Sequence, residues 1–199
     1  MEIQRLKGVA RPIETAKAEY NSESRNDFNI LTNDPSITAW GYAVVTKAGR
    51  VLTIGCTKTK TEGKKRRIRK GDETVRRISE INNVLLGIIK AYDVKYILSE
   101  LPHGSQNASA AVMIGVVAGI IQTMSDCLGI GVEWYSEGDS KKCALGKQAA
   151  TKDEMVVRMK KQYPDAAWTG VKYFDEACAD ALAIHYVASK QSSTLKLMR

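Results

Sequence analysis

The sequence predicts an α/β domain built on a mixed five-stranded sheet with helices on both faces. Three observations carry this reading. Short β-rich stretches cluster near the start, longer apolar-periodic stretches dominate the rest, and the two kinds alternate after residue 90. At 199 residues and 44% hydrophobic composition, the chain can bury one substantial core.

FNILTN (28–33) reads as the first strand, ending at Asp34-Pro35. AWGYAVVT (39–46) reads as the second, and KAG (47–49) supplies a hairpin turn into RVLTIGCT (50–57). Val75, Ile78, Ile81, Leu85 and Ile88/Ile89 recur at helical spacing and predict a helix from about 72 to 92. VKYILSE (94–100) has the continuous apolar character of a buried parallel strand. Residues 107–127, rich in Gly and Ala, read as a core helix packed closely through Gly115 and Gly119. No stretch is read as a bilayer span. GVEWYS (131–136) is the fifth strand, and helices are expected at 140–145, 152–162 and 175–190. Residues 1–27 read as an N-terminal extension, 28–190 as the domain, and 191–199 as a C-terminal tail.

Composition narrows the function classes. The N-terminus lacks the apolar centre of a secretory signal, which predicts a reducing, cytoplasmic location. Cys56, Cys127, Cys143 and Cys178 show no C-x-x-C spacing, and His103 and His185 are the only histidines, so no structural zinc site is expected. The cysteines read mostly as buried small hydrophobes. The net charge of +8 is concentrated in residues 58–77, with ten Lys/Arg against three acids. Such a block suits a polyanionic partner, although a solvated loop or a localisation tag has the same composition.

Acids stand where a site would be built. Asp34 ends the first strand and Glu100 the fourth, the usual place for function in such a sheet. Asp180 interrupts the apolar run ACADALAI on the last helix, and buried acids are rarely left without a partner or a metal. Glu176 is one turn earlier on the same helical face, beside Asp175. Converging carboxylates repel, by roughly 4 kcal/mol at ~4 Å and an effective dielectric near 20. A hard divalent ion such as Mg²⁺ reverses that sign and supports phosphodiester hydrolysis without a nucleophilic side chain. Singly, Asp34 could instead be a turn residue, and Asp175 or Glu176 a helix-start charge.

At these residues the chain resembles the RuvC family of Holliday-junction resolvases. Asp34-Pro35-Ser36 with Trp40-Gly41-Tyr42-Ala43 is similar to the family's D-P-G-S and downstream G-Y-G, without the first glycine. Glu100, Asn107-Ala108, Gly115 and Gly119 keep the family's spacing. Lys141-Lys142, Gly146, Ala150 and Lys152 resemble its V-K-x-x-x-x-G-x-G-x-A-x-K stretch, with Ser140 and Gln148 departing from it. Ala179-Asp180-Ala181-Leu182-Ala183-Ile184 matches its A-D-A-L-A-I helix. The likeness spans residues 28–188.

The resemblance implies an RNase H-like fold and a Mg²⁺-dependent endonuclease, with Mn²⁺ as substitute, that resolves four-way DNA junctions by paired nicks. Asp34, Glu100 and Asp180 would be catalytic metal ligands. The family's fourth ligand position is Ala177 here, which leaves Glu176, or less readily Asp175, as the substitute. Lys152 would stand near the scissile phosphate, and Lys141 and Lys142 would contact the DNA backbone. His103 occupies the position of an aromatic that stacks on a base in some members. The basic segment, with Lys64, Lys65, Arg66, Arg67, Arg69 and Lys70, would flank the crevice and hold phosphates. The excess apolar surface of the 107–127 helix implies a twofold homodimer. A catalytically weak branched-DNA-binding module and an RNase H-like nuclease for flaps, forks or RNA remain open alternatives.

Overall fold

The structure is a computed structural model that describes residues 28–62, 69–101, 104 and 107–198. Residues 1–27, 63–68, 102–103, 105–106 and 199 lie outside the described residues, and with them the N-terminal extension, Lys64, Lys65, Arg66, Arg67 and His103.

Five strands form one sheet: β1 (Asn29–Asp34), β2 (Ala39–Thr46), β3 (Val51–Lys58), β4 (Val94–Glu100) and β5 (Gly131–Tyr135). Their order is β3-β2-β1-β4-β5, with β1–β2 and β2–β3 antiparallel and β1–β4 and β4–β5 parallel. The helices are α1 (Lys70–Ala91), α2 (Ala108–Leu128), α3 (Glu137–Leu145), α4 (Lys152–Gln162), α5 (Lys172–Gln191) and α6 (Ser193–Leu197). The predicted mixed sheet and its helical layers are both present.

The central strands are apolar on both sides because both faces are covered. Leu31, Val44 and Ile97 face α1 and α2, packing with Ile81, Leu85, Val117 and Ile121. Their neighbours Ile30, Val45 and Leu98 face the other way, toward α4, α5 and α6. Period-two alternation thus assigns each residue to one of two cores.

Five sequence expectations change. The helix expected at 140–145 begins at Glu137, because Ser136 accepts the Asp139 amide at 3.0 Å and starts the helix one turn earlier. Residues 191–199, read as a tail, carry α6: Ser192 caps it, Leu195 is buried, and Lys47 donates to the Met198 carbonyl. The helix over Ala108–Leu128 is not packed through its glycines. A side-chain carbon added at Gly115 or Gly119 would meet nothing within 4 Å. It buries Val117, Ile120, Ile121 and Met124 on the sheet while Val112 stays 59% exposed. By length and composition alone this helix is also long enough to cross a membrane, contrary to the sequence reading. The cysteines are all free, but only Cys178 is buried and Cys127 is exposed.

Candidate active site

Topology brings the acids to one edge of the sheet. β1 and β4 run parallel with Asn33 opposite Ser99, so the next step of that register sets Asp34 beside Glu100. β4 and β5 are also parallel, with Glu100 opposite Tyr135. All three strands therefore end in one crevice. α5 brings the third acid. Thr32 donates its hydroxyl to the Ala181 carbonyl, which pins the helix over β1. One turn earlier Ala177 lies on Gly41, the residue paired with Asp34. A side chain at Gly41 would collide with the Ala177 carbonyl, so glycine and alanine together allow the close approach. That approach delivers Asp180 to the strand ends.

The three carboxylates feel one another. Burial pushes the Asp34 carboxyl up to about 7, with the charge of Asp180 adding to the effect and Lys152 opposing it. Burial, then Asp34 and Asp180, push Glu100 up to about 8. Burial also raises Asp180, against the pull of Lys152. Among the described residues, no hydrogen bond or ion pair reaches the carboxylate of Asp34 or Glu100. Lys152 is 3.4 Å from Asp180. Burial disfavours its ammonium, but Asp180, Asp34 and Glu176 together hold its pKa above the ordinary lysine value. Lys152 is the first residue of α4, behind a capping box made by Thr151 and Glu154. A cation at a helix N-terminus opposes the macrodipole, so the acids, not the helix, hold it there.

The remaining predicted residues among those described fall into four groups. Glu176 pairs with Lys172 at 3.7 Å and reaches the centre through Lys152. Asp175 is committed elsewhere: it accepts from Lys160 at 2.6 Å and from the Thr169 and Gly170 amides, bonds that outweigh burial and lower its pKa. Lys141 is half-buried beside the crevice and Lys142 is exposed on the same helix. Arg69 is exposed and paired with Asp72 at 2.8 Å, and Lys70 begins α1.

One acid was missed in the sequence. Glu137 opens α3 two residues after Tyr135, and its charge raises Asp34, Glu100 and Asp180 alike. It pairs with Lys141 at 2.6 Å. Applying the strand-end argument to β5 as well as β1 and β4 would have found it.

The donor set suits a hard divalent cation, since hard oxygen ligands converge and, among the described residues, two of them have no direct ion pair or hydrogen bond, Lys152 and Lys141 easing their charge only from a distance. Among the described residues, no three acids, histidines or cysteines already close around a single point.

The sequence model of the family described as Crossover junction endodeoxyribonuclease RuvC matches residues 30–187. The chain is 27% identical over 160 residues to the Crossover junction endodeoxyribonuclease RuvC of Rickettsia bellii (strain OSU 85-389), covering 79% of this chain and 94% of that protein. It is 23% identical over 174 residues to the protein of the same name from Rhizobium meliloti (strain 1021), covering 87% and 96%. Among solved structures it is similar to Thermus thermophilus RuvC in complex with Holliday junction substrate, with a TM-score of 0.61 at 20% identity over 81% of this chain and 93% of that one. The yeast mitochondrial Holliday junction resolvase Ydc2 superposes with a TM-score of 0.58 at 12% identity, covering 94% and 88%. With strand-end acids, sheet order and family match in agreement, this chain belongs to the RuvC family.

Proposed function

We propose that the protein is an endodeoxyribonuclease that resolves four-way DNA junctions by Mg²⁺-dependent hydrolysis, with Mn²⁺ able to substitute. The observation that carries this is the convergence of Asp34, Glu100 and Asp180: burial raises all three, the charge of Asp180 raises the other two further, and Lys152 holds Asp180 down. Bound there, a divalent ion would supply Lewis-acid activation of water and charge neutralisation at the phosphate. Asp34, Glu100 and Asp180 would hold it. Lys152, 3.4 Å from Asp180, stands ready to stabilise charge developing on the phosphoryl oxygens. Glu176 acts one step out, by keeping the Lys152 ammonium charged and aimed.

DNA contacts follow from where the basic segment is rooted. β3 runs parallel to β1, so Lys58 at its end lies at the acidic edge of the sheet. Two arginines of the segment anchor it: Arg76 donates to the Lys60 carbonyl at 2.7 Å and Arg77 to Thr59 Oγ1 at 2.7 Å. Lys64, Lys65, Arg66, Arg67, Arg69 and Lys70 would meet phosphates, with Lys141 and Lys142 on the far side of the crevice and His103, three positions after Glu100 in the sequence, as a further DNA contact. The uncovered Gly/Ala face of α2 supports a homodimer, which would present two sites to a symmetric junction.

The test is cleavage of a synthetic four-way junction with nicks mapped on opposing strands. Asp34→Asn should lower cleavage on the order of 10³-fold while leaving junction binding nearly intact. Full cleavage by that variant would remove Asp34 from the mechanism. Tight binding without cutting by the unmodified protein would favour a binding module instead.

A further inference from the structure

The acidic edge carries an aromatic side chain that the assigned roles do not use. Tyr173 lies in the first turn of α5, four residues before Ala177, and so on the face that meets Gly41 opposite Asp34. It is 47% exposed, and among the described residues it is the only aromatic left exposed. The ammonium of Lys58 sits over its ring, 4.1 Å from the centroid. Lys58 is itself exposed and ends β3, where the basic segment departs. Lys172, the first residue of α5, and Lys152, the first of α4, are 74% and 61% exposed at their side chains.

A second lysine–tyrosine pair in the chain shows what a structural version looks like. Lys190 lies over Tyr186 at 4.1 Å, but Tyr186 is only 6% exposed, and its hydroxyl accepts from Lys190 at 2.6 Å and Arg158 at 2.7 Å. Tyr173 has none of this. No hydrogen bond from a described residue reaches its hydroxyl, and its ring meets solvent.

We infer that Tyr173 and Lys58 form a stacking platform for an unpaired DNA base beside the acidic crevice, with Lys58 moving from the ring to a phosphate as the base arrives. This rests on the nuclease reading above and adds a contact to it. An exposed ring accepts any base through its π face, and an exposed cation–π contact is weak enough to yield to it. The surrounding lysines supply the attraction for the backbone.

The experiment measures binding by the full-length protein, in EDTA so that cleavage does not interfere. Ligands are an oligo(dT) single strand, a duplex of equal length, and a four-way junction with 2-aminopurine at the crossover. Tyr173→Ala should weaken single-strand and junction binding about tenfold and leave duplex binding unchanged. Tyr173→Trp should restore affinity and show indole quenching by the bound strand. Equal affinities for the Tyr173→Ala variant and the parent protein, with no quenching in the tryptophan variant, would overturn the inference. So would unchanged DNA affinity with an altered oligomeric mass, which would assign the ring to a protein contact. If the parent protein cuts the junction, either result removes only the platform. If it binds neither single strand nor junction, the nuclease reading falls as well.

Discussion

α5 and α2 each carry a face of small residues and put it to opposite uses. Both are rich in small residues, Ala177, Ala179, Ala181 and Ala183 in one and Ala110, Ala111, Gly115 and Gly119 in the other. On α5 those residues are buried, and two of them let the backbone touch Gly41 and Thr32. On α2 they face outward over open space. Small side chains mark a surface made for close approach, but the sequence does not say what approaches. For α5 it is the sheet of the same chain, and the result is a rigidly placed Asp180. For α2, in our proposal, it is the same helix of a second copy.

The contrast can be attacked from the tightly packed side first. His185, on α5, is buried and bonded to the Tyr163 hydroxyl at 2.8 Å. Burial lowers its pKa to about 4 from the ordinary 6.5. A depressed histidine pKa means that the unfolded chain takes up the proton first as pH falls. The contribution to stability is therefore complete above pH 6.5, declines between 6.5 and 4, and levels off below that, by up to ~3 kcal/mol. Asp34, Glu100 and Asp180 titrate in both proteins, so the His185 slope is the difference between the urea-unfolding profiles of the parent and His185→Gln proteins across this range. Parallel profiles would mean that this core admits protons freely.

A smaller effect compares the two helices directly. Gly41→Ala should cost about 1–3 kcal/mol by forcing α5 away from β2, and junction cleavage should fall with it as Asp180 shifts. Gly119→Ala meets no such wall. It should leave the monomer unchanged or more stable by up to ~1 kcal/mol, yet weaken self-association measured by sedimentation. If the two substitutions behave alike, small residues on the two helices serve the same purpose and the distinction is lost.

Much of this was legible in the sequence, for identifiable reasons. The five strands were found because alternation and β-branched content mark them, and the acids because strand ends limit where chemistry can sit. Asp180 stood out because a carboxylate is conspicuous in ACADALAI. What was missed depends on three-dimensional neighbours. Glu137 looks like an ordinary helix-start acid until the parallel pairing of β4 and β5 places it beside Glu100. Asp175 and Glu176 are adjacent in sequence, but one turns to Lys160 and the Thr169 amide while the other faces Lys152. The glycines of α2 were read as packed because spacing reveals a smooth face without revealing its partner. α6 was read as tail because five residues carry too little periodicity to detect.

The central claim is that Asp34, Glu100 and Asp180 act as one centre. Calorimetric titration of Mn²⁺ into the parent protein and into Asp34→Asn, Glu100→Gln and the double variant tests it without DNA. One centre predicts that either single change removes most of the affinity and that the double variant loses little more. Strong Mn²⁺ binding retained by both single variants, or losses that simply add, would show that the acids work apart and would contradict the account.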